Sequence, residues 1–281
     1  MVFRYRPHYQ FQSIRSLSLL SDYHLHSRFS PDAHHSIDQI CRRALELGLR
    51  SVAITDHVEW RIKGFGNPQP EAYFEHLNKA REKYQPLGLT VLSGVEVGNP
   101  QDYPRKFSGL LALYPFEVVI ASQHWLDEIN IHHVEVFEGR NPGEVYRRYF
   151  REMRALVELC DFDILAHPDR IFWPGTQIGA APELDLLEDE IRAVFSALAK
   201  SRKILELNTK YLGQSPAWNQ TAAQMLQWYR EEGGRRVVVN SDAHQPREIA
   251  HGFNTAQDLL QSAGIEQVVS LSPSMLGAVL S

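Results

Sequence analysis

The sequence has little cysteine and no long apolar segment, and each absence excludes a class of protein. Its 281 residues include two cysteines, Cys41 and Cys160, and no Cys-x-x-Cys motif, which excludes a disulfide-rich scaffold. No apolar run approaches the length that crosses a membrane. The stretch from Met1 to Ser21 lacks the apolar core of a secretory signal. We therefore expect a cytoplasmic protein with no membrane association.

Two further absences concern cofactors and partners. The sequence has no Walker phosphate loop, which disfavours an enzyme that uses a nucleotide cofactor. It also has no excess of basic residues, since 29 Lys and Arg stand against 34 Asp and Glu, a net charge of −5. A nucleic-acid-binding protein usually carries a basic face, so the composition disfavours a nucleic-acid partner. The oligomeric state is not indicated by any feature of the sequence.

Strands and helices alternate along the chain without a repeat or a linker, which predicts one α/β domain spanning residues 1–281. Seven apolar runs predict strands at Leu17–Leu25, Ser51–Thr55, Leu89–Val97, Phe116–Ala121, Phe162–Ala166, Ile204–Leu207 and Val237–Asn240. Helical periodicity predicts helices at roughly Ser36–Leu47, Glu71–Tyr84, Gly143–Leu159, Glu183–Lys200 and Ala217–Glu232.

Side chains that can bind metal follow most of the predicted strands. They are His24, His26, Asp32, His57, Glu96, His124, His167, Asp242 and His244. A single His-x-His pair is weak evidence, because histidine also occurs in protein cores and on surfaces. So many imidazoles and carboxylates in one place would be costly to bury unless a cation satisfied them.

The distribution of these residues distinguishes between two folds. In an open parallel sheet, functional side chains gather at one switch point between a few strand ends. Here every predicted strand except Ile204–Leu207 carries a candidate at its C-terminal end. Because only a closed barrel brings so many strand ends around one mouth, we predict a (β/α)7 barrel with a metal site there.

The number and type of donors indicate more than one ion. Six imidazoles and three carboxylates exceed what a single catalytic zinc uses, which is three protein ligands and an open position. Two or three divalent ions are therefore expected. Nitrogen and oxygen donors without thiolate suit zinc, iron or manganese better than magnesium or calcium.

Some of the candidates also have a structural explanation. His57 alone would serve as a capping or surface histidine as readily as a ligand, and Asp32 could be a turn residue. Glu96 differs, because in a strand of valine and leucine it would be an uncompensated buried charge without a cation. His132 and His133 lie in a polar loop and are predicted to be solvated, so that changing His132 to alanine should do little.

Taken together, the candidates form a series of motifs in a fixed order. The series is His24-x-His26 with Phe29-Ser30-x-Asp32, Thr55-Asp56-His57, Gly94-x-Glu96-x-Gly98, His124, His167 and Ser241-Asp242-x-His244. It resembles the polymerase and histidinol phosphatase (PHP) superfamily, and most of all its histidinol-phosphatase branch. The resemblance implies a distorted seven-stranded β/α barrel that holds up to three metal ions.

The resemblance also implies how the ligands divide among the ions. Glu96 would bridge two ions, one bound by His24, His26 and Asp242 and the other by His124 and His167. The third ion would be held by Asp32, His57 and His244. The segment from Pro168 to Pro174 departs from the phosphatase pattern, which affects the expected substrate more than the metals.

These observations predict a metal-dependent phosphatase acting on a small phosphate monoester, with histidinol phosphate as the leading candidate. Clustered divalent ions neutralise phosphate oxygens and lower the pKa of a bound water, so that hydroxide is available near neutral pH. The candidate catalytic residues are Glu96, which would bridge ions, and Asp32 and His244. The departing alkoxide could be protonated by a water on the third ion, or by Asp32 or His244 if they are not fully committed to metal.

Residues after the strand ends are expected to select the substrate. Arg170, Lys210 and Arg247 could bind phosphate or a carboxylate, although each could also be a solvated surface cation. The aromatic candidates for packing a leaving group are Trp125, Phe172, Trp173 and Tyr211.

Two other functions use the same metal motifs. A PHP-type nuclease acting on nucleic-acid ends or small nucleotide diesters would need a groove with several basic residues, which the composition does not indicate. A non-catalytic, metal-stabilised barrel would have lost several ligands, whereas all nine are present here.

Overall fold

The computed structural model describes residues 7–14, 20–62 and 69–272 of the chain. The strand predicted to begin at Leu17 begins at Ser21, and its predicted residues 17–19 lie outside the described part. The strands are β1 His8–Ser13, β2 Ser21–Leu25, β3 Ser51–Ile54, β4 His57–Val58, β5 Thr90–Gly98, β6 Val118–Ser122, β7 Trp125–Leu126, β8 Ile129–Asn130, β9 Ile164–Leu165, β10 Ile204–Asn208, β11 Val237–Asn240 and β12 Gln267–Ser272.

Seven parallel strands form a nearly closed barrel. Their order is β2-β3-β5-β6-β9-β10-β11, and the short β4 also pairs with β5. At the seam between β2 and β11, the Tyr23 amide donates to Asn240 Oδ1 at 2.8 Å. Just beyond it, the His26 amide donates to the Ala243 carbonyl at 2.9 Å. The predicted seven-stranded α/β barrel is therefore confirmed.

Apolar side chains fill the barrel below its mouth. The buried interior cluster includes Tyr23, Ala53, Leu92, Val118, Ile120, Ile164, Ala166, Ile204 and Val238. Side chains two residues apart on a strand point to the same face, so Glu96 in β5 lies on the inward face with Leu92. The barrel thus has an apolar floor and a polar upper layer.

Helices cover the outer surface of the barrel. Those of the described residues are α1 Ile37–Glu46, α2 Pro70–Tyr84, α3 Pro104–Leu113, α4 Pro142–Leu159, α5 Phe172–Gln177, α6 Glu188–Lys200, α7 Pro216–Glu231 and α8 Phe253–Ser262. Four of them start with proline, whose missing N–H is not needed in the first turn. α1 begins with a capping box between Ser36 and Gln39.

The sequence pattern does not predict three of these helices or the start of a fourth. α5 has six residues, too few to show a helical period, and α3 buries only Phe107 and Leu110. α8 is a further short helix near the end of the described chain. α6 begins at Glu188 rather than Glu183, because Leu184–Leu186 form a 3-10 turn before it.

An antiparallel pair of strands, β1 and β12, lies at the N-terminal end of the barrel. The Leu271 amide donates to the Tyr23 hydroxyl at 2.8 Å, and Val269 and Leu271 join the interior cluster. β1 is almost wholly exposed, and its only two apolar side chains, Tyr9 and Phe11, make an alternation too short to predict a strand. Among the described residues, no helix has the length and apolar character needed to span a membrane.

Candidate metal centre

The predicted metal ligands meet at the C-terminal mouth of the barrel, with the fully buried Glu96 at their centre. Three imidazoles face its Oε2 atom: His24 Nε2 at 3.1 Å, His26 Nε2 at 3.4 Å and His57 Nδ1 at 2.9 Å. Tyr23 and His24 both face the barrel interior although they are adjacent. This is explained by the irregular pairing of β2 with β3, whose register shifts between Asp22 and Leu25.

The second oxygen of Glu96 faces another pair of imidazoles. Its Oε1 lies 3.2 Å from His124 Nε2 and 3.1 Å from His167 Nε2, and the two histidine nitrogens are 3.5 Å apart. These residues follow β6 and β9, strands that neighbour each other in the barrel. One carboxylate therefore separates two groups of nitrogen donors.

Asp242 joins the first of these groups from the turn after β11. Its Oδ1 lies 3.3 Å from His26 Nε2, 3.7 Å from His24 Nε2 and 3.5 Å from His244 Nδ1. The residues that the PHP resemblance assigns to the first ion thus lie around Glu96 Oε2 and Asp242 Oδ1.

The remaining candidates lie on the solvent side of the cluster. Asp32 Oδ2 lies 3.1 Å from His244 Nε2 and 3.4 Å from His57 Nε2. The Asp32 side chain is 52% exposed, in contrast to the buried Glu96 and Asp242. All nine predicted ligands are therefore brought together, and they form an inner part and a more open outer part.

The donor atoms of the cluster fit divalent cations. His24 Nε2, His26 Nε2, His57 Nδ1 and Glu96 Oε2 are buried and make no hydrogen bond with the described residues. Buried polar atoms without partners are rare in proteins, and these four point toward one another. A divalent cation between them would satisfy all four at once. Imidazole nitrogens and carboxylate oxygens are the donors that zinc, iron and manganese accept.

A buried carboxylate outside the ligand set, Glu206 in β10, positions two of the histidines. Its Oε1 accepts from His24 Nδ1 at 2.8 Å, and its Oε2 accepts from the His167 backbone amide at 2.9 Å. Asn240 Nδ2 donates to Oε1 at 2.8 Å. Glu206 therefore fixes the His24 ring with Nε2 directed at Glu96, the arrangement in which carboxylates usually support metal-binding histidines.

Glu59 supports His124 in the same way. It pairs with His124 Nδ1, and its Oε2 accepts from Trp125 Nε1 at 2.9 Å. The Glu59 carboxylate packs directly against Gly98, where a Cβ atom would clash with it. Gly98, two residues after Glu96, thus leaves room for Glu59, which orients His124.

We expect Glu206→Gln to weaken metal binding about 10- to 100-fold, the usual effect of losing a carboxylate that orients a histidine ligand. Glutamine keeps the size of the side chain but removes the charge that faces the His24 ring. Zinc affinity measured by competition with a chelator tests this. Glu117→Gln is the control, because Glu117 pairs with Arg81 away from the cluster. Equal zinc affinities in the two variants would contradict the role of Glu206.

The electrostatics of the cluster lower the pKa values of its acids and of two histidines, His26 and His167, the second to about 4 through burial and the charge of Arg170. Burial alone would raise the pKa of Glu96, but the charges of His24, His57 and His124 outweigh it and lower the pKa well below its usual value. The pKa of His26 is lowered well below its usual value by burial and by the charges of His244 and His57. Carboxylate and neutral imidazole are the forms that bind metal.

Two of the ligands stand on strained backbone. His167 and Asp242 have φ angles of 24° and 53°, in the left-handed region that residues other than glycine rarely adopt. Each such residue costs on the order of 1–3 kcal/mol and persists where surrounding contacts impose it. The Glu206 carboxylate holds the His167 amide, and the His24 carbonyl accepts from the amide that follows Asp242 at 3.3 Å. The strain directs both side chains into the cluster.

Two of the predicted substrate-binding cations lie beside Asp242. The Arg170 guanidinium is 2% exposed and donates to Asp242 Oδ2, and Lys210 Nζ lies 3.6 Å from the same oxygen. Arg170 also lies over the Tyr211 ring, which stacks on Trp173 with ring centres 4.4 Å apart. Arg170, Lys210, Tyr211 and Trp173 therefore form one group of side chains beside Asp242.

Arg247 lies elsewhere. It lines an open groove of about 430 Å³ with His35, Arg42 and Arg43 from the α1 side. No hydrogen bond or ion pair joins it to the described residues. The structure therefore does not place Arg247 with Arg170 and Lys210.

The remaining aromatic candidates have structural roles. Phe172 is 1% exposed and packs against Tyr146 and Phe150 in the core, so the prediction that it packs a leaving group is wrong. It is the first residue of α5, which turns it away from the mouth. Trp125 is half-buried, and its indole donates to Glu59.

His132 is exposed, as the sequence predicts, but it lies at the cluster. Its ring centre is 5.9 Å from that of His124. The protein around the mouth desolvates the ring, and this, together with the charges of Arg170, His124 and His167, lowers the pKa of His132 well below its usual value.

A parallel α/β barrel whose strand ends converge on histidine and carboxylate side chains defines a barrel protein with a candidate site for divalent metal ions. The model of the PHP domain family matches residues 22–210. The chain belongs to this family, as its motifs predict.

Several curated relatives cover nearly the whole chain. A probable histidinol-phosphatase of Clostridium acetobutylicum is 25% identical over 256 residues, 89% of this chain and 96% of the relative. Another, from Thermotoga maritima, is 29% identical over 248 residues, 87% of this chain and 93% of the relative.

Solved structures show the same fold. Histidinol phosphate phosphatase of Lactococcus lactis, complexed with zinc, L-histidinol and phosphate, superposes with a TM-score of 0.78 and 22% identity, covering 87% of this chain and 94% of that one. A putative histidinol phosphatase of Listeria monocytogenes gives a TM-score of 0.71 and 18% identity, covering 84% and 99%.

Proposed function

We propose that this protein is a metal-dependent phosphatase that hydrolyses a small phosphate monoester, with histidinol phosphate as the leading substrate. The observation that carries the proposal is the position of Glu96, whose two oxygens face five imidazoles at the mouth of the barrel. The curated relatives named histidinol-phosphatases, and the neighbour complexed with L-histidinol and phosphate, support the choice of substrate.

The nine ligand side chains would hold two or three ions of zinc, iron or manganese. Glu96, shared between the two groups of histidines, would keep neighbouring ions close together while its charge offsets theirs. When bound, the ions would neutralise phosphate oxygens and make hydroxide available from water near neutral pH.

Arg170 and Lys210 are assigned to the phosphate. Both contact Asp242 Oδ2, so a phosphate at the cluster would meet their positive charges next to the first ligand group. A guanidinium offers paired donors that match phosphate oxygens, whereas a lysine supplies a single point charge. Arg247 lines a separate groove and has no part in this step.

With two ions bound at the inner positions, Asp32 and His244 are not committed to metal, and we assign them to the proton that the departing alkoxide requires. Burial alone would raise the pKa of Asp32, but its hydrogen bonds to His244 and His57 outweigh burial and hold the pKa well below its usual value. Asp32 therefore stays a carboxylate and accepts a hydrogen bond from its partner. A proton held between Asp32 Oδ2 and His244 Nε2, 3.1 Å apart, lies on the open side of the cluster, where an alcohol would leave.

Phosphate release from a panel of substrates tests the proposal. The panel contains histidinol phosphate, sugar phosphates, mononucleotides, short oligonucleotides and 4-nitrophenyl phosphate. We expect kcat/KM to be highest for a small monoester, with histidinol phosphate first. Faster cleavage of the oligonucleotides than of any monoester would contradict a phosphatase and indicate a nuclease.

A further inference from the structure

His132 lies on the short segment that follows the hairpin of β7 and β8. The hairpin holds this segment against the metal centre, because the Ile131 amide donates to the His124 carbonyl at 2.8 Å. The His132 amide donates to Asn130 Oδ1 at 2.9 Å, and the next amide, of His133, donates to the Asn130 carbonyl at 3.1 Å. The backbone on both sides of His132 is therefore fixed.

The two adjacent histidines have different surroundings. The His132 ring lies 5.9 Å from the ring of the candidate ligand His124, centre to centre. His133 Nδ1 instead lies 3.9 Å from Glu135 Oε2, and both of these side chains are exposed. Of the two histidines, His132 is the one with a ring contact to a described residue of the metal cluster.

The exposed fraction of each side chain at the mouth indicates which part of a substrate His132 would contact. The candidate metal ligands Glu96 and Asp242 are 0% and 4% exposed, and Arg170, which is assigned to the phosphate, is 2% exposed, while its neighbour Lys210 is 33% exposed. A monoester must therefore enter with its phosphate first, which leaves its alcohol at the level of the exposed side chains. His132 is exposed and contacts a residue of the inner cluster, so it occupies that level.

We propose that His132 binds the alcohol part of the substrate and determines specificity for it. This inference rests on the proposed phosphatase function and extends it to a residue outside the metal-binding motifs. An imidazole presents a hydrogen-bond donor in either protonation state, which suits the polar groups of an alcohol. Its fixed backbone limits the entropy lost when it contacts a substrate.

His132→Ala tests the proposal, with His133→Ala as the matched control. For the alkyl monoester that the protein hydrolyses best, we expect kcat/KM to fall about tenfold, the equivalent of one hydrogen bond, in His132→Ala only. 4-Nitrophenyl phosphate lacks the alcohol's polar groups, so its kcat/KM should change less than about twofold. His132→Asn, which keeps a donor, should recover part of the loss.

Binding measurements separate substrate contact from a structural role. By calorimetry, His132→Ala should bind inorganic phosphate as the unaltered protein does and should bind L-histidinol, which has no phosphoester to hydrolyse, more weakly. Metal content should be unchanged. Equal effects of the His132 and His133 changes, equal losses for alkyl and aryl esters, or a loss of metal in His132→Ala would overturn the proposal. If no monoester is hydrolysed, the phosphatase assignment fails, and the calorimetric comparison alone then decides whether His132 contacts the alcohol.

Discussion

Glu96→Ala is expected to remove bound metal and nearly all phosphatase activity together. The change leaves five imidazoles facing one another without the carboxylate that, in our proposal, offsets the charge of two ions. Loss of an ion that neutralises the reacting phosphate removes several kcal/mol of transition-state stabilisation, so kcat/KM should fall by at least roughly a thousandfold.

Metal analysis and phosphate release on the same preparation measure both effects. Glu158→Ala is the control, since Glu158 forms an exposed ion pair with Arg154. Thermal unfolding of the chelator-treated proteins separates loss of metal from loss of fold. A Glu96→Ala protein with a full complement of metal would contradict the bridging position assigned to this residue.

Arg170→Ala should lower kcat/KM for the true substrate. The expected loss of transition-state stabilisation is roughly 1.5–3 kcal/mol, the range for a hydrogen bond to a charged group. In this variant Asp242 Oδ1 keeps its contacts with His24 and His26, and Lys210 Nζ stays 3.6 Å from Asp242 Oδ2. The metal content should therefore be retained. An activated aryl phosphate, whose leaving group departs more readily, should be less affected.

Arg170→Lys and Arg151→Ala complete this experiment. Lysine keeps the charge but not the paired donors, so Arg170→Lys should recover only part of the activity. Arg151 lies in an exposed ion pair with Glu190, and its loss should change nothing. An unchanged kcat/KM in Arg170→Ala would mean that the guanidinium serves only to hold Asp242.

The barrel and the convergence of the nine candidate ligands could be predicted because they depend on local patterns. A strand that ends in a histidine or carboxylate shows both its burial and its polar end in a few consecutive residues. The order of the motifs then indicates that the ends meet. Neither step requires the packing of the helices, several of which the sequence leaves undetected.

Glu206 and Glu59, the carboxylates that position the histidines, are absent from the predicted set, although the argument used for Glu96 also applies to Glu206. Glu206 stands in the strand Ile204–Asn208 among leucines, so it is as much an uncompensated buried charge as Glu96. Applying the argument to both strands would have found it. The position of Glu59 is harder to predict from the sequence, because Glu59 follows β4, a strand of only two residues.

The direction of side chains in the mouth loops could not be predicted. Phe172 and Trp173 are adjacent, yet the first is buried in the core and the second stacks on Tyr211. His132 and His133 are equally polar in sequence and differ only through the hairpin that fixes them. These differences arise from tertiary contacts, which have no fixed spacing along the chain.

Adding metal back to chelator-treated protein while phosphate release is measured tests the central claim most directly. The account predicts that metal-free protein is inactive and that activity with a small monoester returns only as zinc, iron or manganese approaches at least two equivalents per chain. Full activity in the metal-free protein, or full recovery with a single equivalent, would contradict a multinuclear centre built around Glu96.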